Sequence, residues 1–536
     1  MTLAERAKDL LQVRPARQAI DRQIRQMAAQ VAQAAPESQE GKTILAFNAS
    51  TRITGVSLNA AFALLTGWSL RLQGVRVIHF VCQQGMAQCV LGTRTDDVLQ
   101  EPPCKQCLKQ SDALYDQSEV VGLTYQLDAN LAAQVNALSL ADLQTFTYDG
   151  IPLGALCLPS MRWILRRHHL VEDEPTAILY RKYILSAYNI AQQFGKVVQE
   201  TSPLAVMVFN GMQFPEATAR WVAQQQGIPV YSHEVGMAPT SAFFTPGEAT
   251  AYPVEIPADF QLTPEMDQKL DGYLSKRFKG DFSMAGVQFW PEMSGLDQAF
   301  IEKLESFEQV VPVFTNVIFD TSQPHANVVF EDMFIWLDEV LKVAEQHPET
   351  LFVIRAHPDE SRPGKASRES VADWAARKRV ADRTNVDFIP PDAYFSSYEM
   401  IQRSKFVMIY NSTIGMEAAI MGAPVLSAGK ARFTQLDTVY FPKTREAYLA
   451  QLEDFLTAEA VQAQPAHSVN ARRFLYYQLY RTSLPFGEYL EPDGIWPGFV
   501  RLKAFAVQDL LPAHSETLKA ISEGLLEGKP FLLAEA

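Results

Sequence analysis

Short apolar strands alternate with amphipathic helices along much of the chain, and this alternation constrains the fold more than any other feature. It is most regular after residue 310, where helical segments separate apolar runs at 310–314, 351–355, 386–389, 406–409 and 424–426. Parallel strands need crossover connections of this kind, which are usually helices. The segment therefore predicts a doubly wound, Rossmann-like domain.

A second alternation lies nearer the N-terminus. An apolar run at 43–47 is followed by a polar loop, a helix at 57–72 and a strand at 75–81. A further strand–helix–strand unit covers 205–232. No GxGxxG motif occurs in the first unit, so no dinucleotide fingerprint is assigned. We expect an α/β fold with two Rossmann-like domains that face a cleft.

The length of 536 residues leaves room for more than two such domains. Helical patterns extend both ends of the chain, and a cysteine-rich segment interrupts the first domain. The expected parts are an N-terminal helical extension at 1–37, a first Rossmann-like domain at 38–300 with a cysteine-rich insertion at 82–107, a second at 301–480 and a C-terminal helical tail at 481–536.

Composition narrows the class of partner. Lys and Arg number 47 against 61 Asp and Glu, which gives a net charge of −14. Non-specific nucleic-acid binding needs a basic footprint, so we expect no nucleic-acid partner. Residues 1–35 lack the apolar core of a signal peptide, and the uncharged stretch at 53–70 contains several polar residues. We therefore expect a cytoplasmic protein, at most peripheral at the inner face of the membrane.

The helical pattern at 4–34 has one apolar stripe. It predicts a helix that packs on the body of the protein or on the partner subunit of a homodimer. Arg17, Arg22 and Arg25 lie close together, so a membrane-surface helix is the alternative.

Four of the five cysteines form a spaced group: Cys82, Cys89, Cys104 and Cys107. The closing C-x2-C pair is a good half-site for a tetrahedral zinc ion. A structural zinc site, a redox or disulfide pair, and plain buried or loop cysteines are all consistent with this spacing.

The loop after the strand at 351–355 contains His357, two residues beyond Arg355. Loops at the carboxyl ends of parallel strands border the ligand site of such folds. Arg355 and His357 can therefore donate hydrogen bonds to a phosphate. The alternative is a strand-ending turn with a polar tip. A second His-Pro pair at 347–348 follows a helix, and we interpret it as a helix stop.

The loop after the strand at 406–409 opens a helix with Ser412 and Thr413. Free N–H groups at the helix start and two hydroxyls suit an anion. Gly415 would allow close backbone approach, and Glu417 would accept hydrogen bonds from ribose hydroxyls. The alternative is a simple capping box.

Two neighbouring loops add to this candidate nucleotide site. Pro390 belongs to a rigid Pro-Pro turn that suits contact with the edge of a base. Lys430 and Arg432 follow the strand at 424–426, where they neutralise a diphosphate or belong to a solvated loop.

A resemblance to a known family rests on two segments, VIRAHPDE at 353–360 and YNSTIGMEAAIMGAPVL at 410–426. They resemble the C-terminal half of GT-B glycosyltransferases and, more closely, bacterial capsule polysaccharide biosynthesis proteins. The resemblance covers roughly 310–480. It implies that the His-Pro loop and the Ser/Thr helix start hold the nucleotide of a sugar donor. Related transferases that use CMP-activated acids bind CMP in this way, and UDP-, GDP- and CDP-linked donors stay open.

The same resemblance assigns the acceptor and the catalytic base to the N-terminal half. An inverting transfer needs a base that deprotonates the acceptor hydroxyl. His233 and Glu234 are candidates, although a satisfied strand-end pair is the alternative. Asp320, the third catalytic-site candidate, is expected to face the same cleft from the other domain and to position a sugar or acceptor. The candidate acceptor-binding residues are Asn48, Arg52, Asn210 and Gly211.

These features predict a glycosyltransferase of surface polysaccharide assembly, with a nucleotide-sugar donor in the second domain and a glycan or lipid-linked acceptor in the first. No cofactor is required for catalysis in this scheme, because no DxD motif lies in a strand-end loop. One alternative is a nucleotide-sugar epimerase or CDP-polyol phosphotransferase of the same fold. Another is a non-catalytic nucleotide-sugar-binding subunit of a capsule assembly complex.

Overall fold

A computed structural model describes residues 13–49, 53–278, 283–284, 287–288, 295–393 and 395–534. A sheet of seven strands organises the first half of the chain. Its spatial order is β4-β3-β1-β5-β6-β7-β15, and the first five are parallel. The strands are β1 (Thr43–Asn48), β3 (Arg76–Cys82), β4 (Glu119–Leu123), β5 (Ala205–Phe209), β6 (Val230–Val235), β7 (Ser241–Pro246) and β15 (Leu484–Pro485).

Helices cover both faces of this sheet, so its strands are apolar on both sides. Within β1, Ile44 and Ala46 enter one core and Leu45 and Phe47 the other, as the two-residue period of a strand requires. The helices of this half are α1 (Arg14–Ala34), α2 (Leu58–Leu72), α3 (Cys104–Leu114), α4 (Ala129–Asn136), α5 (Leu140–Thr145), α6 (Leu153–Leu165), α7 (Glu174–Thr201) and α8 (Phe214–Gln225).

A second sheet of five parallel strands follows in the order β12-β11-β10-β13-β14. Its strands are β10 (Gln309–Phe314), β11 (Thr350–Arg355), β12 (Val386–Ile389), β13 (Val407–Ile409) and β14 (Val425–Ser427). It is preceded by helix α9 (Pro264–Arg277) and by the antiparallel strand pair β8 (Ser283–Met284) and β9 (Val287–Gln288). Its helices are α10 (Gln298–Glu305), α11 (Gln323–Ala326), α12 (Met333–Ala344), α13 (Val371–Arg377), α14 (Ser397–Gln402), α15 (Ile414–Ile420), α16 (Arg445–Thr457) and α17 (Pro465–Tyr480).

The parallel strands of both sheets follow the same doubly wound order, in which the chain reverses direction between β1 and β5 and again between β10 and β13. The expected α/β fold with two Rossmann-like sheets is confirmed. Within the described residues, no helix is both long and apolar enough to cross a membrane.

The segment after 481 differs from the expected helical tail. Its described residues form β15, β16 (Leu490–Pro492), β17 (Phe499–Leu502) and a single α-helix, α18 (Glu516–Glu527). Strand β15 extends the first sheet beside β7, and β17 pairs with β2 (Val56–Ser57). Apolar residues of this segment share a core with α1 and α2. The segment therefore completes the first half of the molecule, and strand formation follows from pairing partners that lie hundreds of residues away.

The apolar stripe of helix α1 packs against other elements of the same chain. Ile20, Ile24, Met27 and Val31 are buried in the same core as α2. A membrane or dimer contact of α1 would therefore have to use its exposed polar side. Residues 1–12 of the predicted extension lie outside the described residues.

Candidate active site

A cavity of about 340 Å³ lies at the carboxyl ends of the second sheet, where the strand order reverses. Loops after β10, β11, β13 and β14 form most of its wall, and Thr250, Ala251 and Pro253, which follow β7, also line it. Doubly wound sheets bind their ligands at this position. The predicted site residues that line it are Asp320, Arg355, His357, Ser412, Thr413 and Glu417.

A chain of amide and hydroxyl groups joins the loops at this switch point. Asn316 Nδ2 donates to Asn411 Oδ1 at 2.7 Å, and Asn411 Nδ2 donates to Ser322 Oγ at 3.3 Å. The Ser322 hydroxyl and backbone N–H both donate to Asp320 Oδ2, at 2.5 and 2.9 Å. The network therefore fixes the Asp320 carboxylate at the cavity wall and occupies only one of its two oxygens.

Ser412 and Thr413 do not form the capping box that the sequence allows as an alternative. Helix α15 begins after Thr413, and no backbone N–H of its first turn donates to a capping side chain. No hydrogen bond to either hydroxyl occurs within the described part of the chain, and both residues line the cavity. Their hydroxyls are therefore available to a ligand.

Gly415 has a different role from the predicted one. It does not line the cavity, and a Cβ at this position would lie 2.4 Å from Ile409 Cδ1. The missing side chain therefore lets α15 pack on β13, and the close approach it permits is to the protein's own core.

His357 is held as a neutral hydrogen-bond donor. Its Nδ1 accepts the backbone N–H of Asp359 at 3.1 Å, so the ring proton resides on Nε2. Burial holds the pKa of His357 below its usual value. Arg355 lies at the end of β11, and its Nη2 donates to the Ala393 carbonyl at 3.2 Å. Burial lowers its pKa to about 10, so it remains a cation at neutral pH.

Glu417 lines the cavity, yet its oxygens already have partners. Arg277 Nε and Nη2 donate to Oε1 at 2.8 and 2.6 Å, and the Tyr398 hydroxyl donates to Oε2 at 2.5 Å. Both members of the ion pair are nearly inaccessible to solvent. Glu417 therefore anchors α9 and α14 to α15, instead of offering an open acceptor to a ribose as the sequence suggested.

The cavity is locally cationic in an acidic chain. Lys430 and Arg432 line it together with Arg355, and Arg432 lies over the Tyr252 ring at 4.2 Å. Because the net charge of the chain is −14, long-range attraction of an anion is weak, and capture has to be local.

Two residues of this cavity region were missed by the sequence reasoning. His325 Nε2 lies 2.7 Å from Glu248 Oε2 and 3.3 Å from Thr250 Oγ1. Although burial alone would raise the pKa of Glu248, hydrogen bonds from His325 and Thr250 hold it below its usual value. Glu248 lies two residues beyond the antiparallel strand β7, and His325 lies in the one-turn helix α11, so neither directly follows a parallel strand. The pair joins the loop after β7 to α11 at the edge of the cavity.

A polar cluster of Asn59, Asn210, Glu234 and Val235 lies at the first sheet, and its members hydrogen-bond to one another. None of them lines the cavity. Asn59 Nδ2 and the Val235 N–H donate to Glu234 Oε1 at 3.1 and 2.8 Å, and Asn210 Nδ2 donates to Oε2 at 2.8 Å. Burial raises the pKa of Glu234 and lowers that of His233 to about 3, so His233 is neutral. Both side chains have the surroundings of a satisfied strand-end pair.

The other predicted contacts are dispersed. Asn48 Nδ2 lies 2.9 Å from His79 Nδ1, and Gly211 follows Asn210 in a turn where both have positive φ. Neither these residues nor Pro390 lines the cavity at the second sheet. Arg52 lies outside the described residues. The four cysteines line a second, smaller cavity in the first half.

Comparison with known proteins supports the family resemblance. Residues 298–436 match the family described as capsule polysaccharide biosynthesis protein. This segment contains the whole second sheet and most of the cavity wall. The resemblance predicted from the two loop segments is therefore confirmed for this part of the chain.

One curated protein matches a short part of the chain. Protein FixF of Sinorhizobium fredii (strain NBRC 101917 / NGR234) is 30% identical over 109 residues, which are 20% of this chain and 23% of FixF. The chain thus spans about a quarter of the curated relative it matches.

Two solved structures show how distant the structural likeness is. Thermosulfurimonas dismutans KpsC, beta Kdo 2,4 transferase, has a TM-score of 0.35 at 13% identity, over 52% of this chain and 80% of that chain. UDP-GlcNAc 2-epimerase from Neisseria meningitidis bound to UDP-GlcNAc has a TM-score of 0.26 at 14% identity, over 81% and 98%. At these TM-scores neither likeness carries an argument about activity.

Proposed function

We propose that the protein is a glycosyltransferase that moves a sugar from a nucleotide-sugar donor to a glycan or lipid-linked acceptor in surface polysaccharide synthesis. One observation carries this proposal. The switch-point cavity combines the unengaged hydroxyls of Ser412 and Thr413, the Nε2–H donor of His357 and the cations Arg355 and Lys430. This set suits a phosphate group, and the segment that supplies it matches a capsule biosynthesis family.

The donor is expected to place its phosphates against these groups. Arg355 and Lys430 neutralise charge, while the two hydroxyls and His357 supply directional donors. CMP-, UDP-, GDP- and CDP-linked sugars all carry a phosphate that fits this description. The turnover assay below therefore identifies the nucleobase of the donor.

Asp320 is the best placed group for the catalytic base. Ser322 holds one carboxylate oxygen of Asp320. The other carboxylate oxygen would accept the proton of an acceptor hydroxyl while the hydroxyl oxygen attacks the sugar. His357 and Arg355 would stabilise the negative charge that develops on the departing phosphate. His325 lines the same cavity and is held by Glu248, so it is positioned to orient the acceptor.

The test is a turnover assay with the full-length protein and CMP-, UDP-, GDP- and CDP-sugars. We expect nucleotide release from one donor class, accelerated by an acceptor glycan, with the sugar recovered on the glycan. Recovery of an epimerised nucleotide-sugar without transfer would favour an epimerase. Binding without turnover across an adequate acceptor panel would favour a binding subunit, and failure to bind any nucleotide-sugar would contradict the proposal.

A further inference from the structure

The second cavity is built around sulfur. It has a volume of about 30 Å³, and its wall includes Cys82, Cys89, Cys104 and Cys107. These residues come from the end of β3, the loop that follows and the first turn of α3. None of them forms a disulfide. The chain therefore brings together four thiols that are dispersed over 26 positions of sequence.

The first two cysteines occur in a repeated C-x-x-G turn. The Gly85 N–H donates to Cys82 Sγ at 3.3 Å, and the Gly92 N–H donates to Cys89 Sγ at 3.2 Å. Burial raises the pKa of both thiols, and these N–H groups oppose that shift, so they would stabilise a metal-bound thiolate.

Only glycine fits at the fourth position of either turn. A Cβ on Gly85 would lie 2.4 Å from the Leu123 carbonyl oxygen, and one on Gly92 would lie 2.5 Å from Pro102 Cβ. The two N–H···S turns are therefore imposed by close packing around the cavity.

The last two cysteines lie on one face of a helix start. Cys104 is the first residue of the eleven-residue helix α3, and Cys107 lies three positions further on. Residues at this spacing are neighbours on a helix surface. The positive end of the helix favours negative sulfur here as the N–H groups do at the two turns.

We propose that Cys82, Cys89, Cys104 and Cys107 bind a single thiophilic divalent cation, Zn²⁺, in a structural site. Four thiolates complete the tetrahedral shell of zinc and leave no position for a substrate, as in structural zinc sites. The small cavity has room for one ion but not for an organic cofactor. The ion would join the loop at 83–103 to β3 and α3.

Closing on the ion has to draw the sulfurs together. Within the described residues, the only group of three or more candidate ligands whose atoms all lie within 4.8 Å of one another is His168, His169 and Asp332. That group is already engaged, because His169 contacts Asp332 and Glu369, and Asp332 caps α12. Among the described residues no three of the four cysteine sulfurs meet this distance criterion, and zinc–sulfur bonds of about 2.3 Å would draw them together.

The first experiment is elemental analysis of the full-length protein, purified without added metal or an affinity tag that binds metal. We expect about one zinc per chain. Replacement by Co²⁺ should give the charge-transfer and intense visible bands of a tetrahedral four-sulfur site. A metal-free protein with four reactive thiols, a Cys104–Cys107 disulfide in the peptide map, or the absorption of an iron–sulfur cluster would each overturn the proposal.

Variants locate the ion. Cys89→Ser and Cys104→Ser should lose the zinc, whereas Cys157→Ser, at a buried cysteine outside this cavity, should retain it. Full zinc content in both cavity variants would overturn the assignment. If a variant fails to fold, the cobalt spectrum of the wild-type protein decides, because it reports the ligand set directly.

Discussion

Both sheets place polar residues at the carboxyl ends of their parallel strands, but only the residues at the second sheet are open to a ligand. At the second sheet, Asp320, Ser412 and Thr413 line a cavity of about 340 Å³. At the first sheet, Asn210 and Glu234 lie at the ends of β5 and β6, and hydrogen bonds within the protein use both oxygens of Glu234.

The difference shows that a strand-end position indicates where a ligand can bind, but not whether the side chains are free to bind it. Availability depends on partners from distant parts of the chain. Asn59, which helps to satisfy Glu234, precedes it by 175 residues, and Arg277 precedes its partner Glu417 by 140. We therefore assign chemistry to the open cluster and stability to the closed one.

The largest expected effect tests the open cluster. Asp320→Asn should lower kcat about 10²- to 10⁴-fold, because the variant cannot accept a proton from the acceptor. Steady-state kinetics with saturating donor measure this. Asp382→Asn, which alters an exposed carboxylate paired with Arg379, is the matched control and should leave kcat near the wild-type value. A kcat for Asp320→Asn equal to that of the control would remove Asp320 as the base.

The second prediction concerns the donor phosphate. His357→Ala should weaken nucleotide-sugar binding about 10- to 100-fold, since a hydrogen bond to a charged group contributes about 1.5–3 kcal/mol. Calorimetric titration measures the Kd. The chain supplies its own control in the other His-Pro pair, because His347 contacts Glu349 and Glu453 and lies outside the cavity. Equal losses in His357→Ala and His347→Ala would show that the effect is not local.

The third prediction concerns the closed cluster. Glu234→Ala should lower the free energy of unfolding by about 1–3 kcal/mol, because it leaves the donors of Asn59, Asn210 and Val235 without their acceptor. Chemical denaturation measures this loss, and the donor Kd should not change. An undiminished stability combined with abolished turnover would instead make Glu234 the base and reverse the comparison.

The smallest effect concerns a contact between the two halves. Hydrogen bonds with Asp332 and then Glu369 raise the pKa of His169 to about 10. The reference value is about 6.5, so its stabilising contribution is complete below that pH and is lost as the pH rises through about 10. His169 is half exposed, which keeps the contribution small.

A pH series of Tm values measures it. The Tm of the wild-type protein should be higher than that of His169→Gln near pH 6, and this difference in Tm should disappear above pH 10. A difference that stays constant over this range would show that the charge of His169 contributes nothing.

The strands and the loops at 355–359 and 410–417 were predictable because their signals are local. Apolar runs of strand length bounded by polar turns coincide with β1, β5, β10, β11 and β13. The domain boundaries stay a prediction, but the strands after 481 were not foreseen, because short strands exist only through their pairing.

The details of the candidate site were less predictable than its place. Gly415 has the residue type that close ligand approach would need, yet it packs against Ile409. Glu248 and His325 do not directly follow a parallel strand, and they meet only through the tertiary fold. Partners of this kind cannot be identified from spacing along the chain.

Hydrogen exchange with mass spectrometry, measured with and without the nucleotide-sugar that the protein turns over, tests the central comparison most directly. If the second sheet holds the donor, amides at 353–360 and 410–417 should gain protection, while those at 208–213 and 230–236 stay unchanged. Protection confined to the segments of the first sheet would contradict this account and move the donor site to the other half of the molecule.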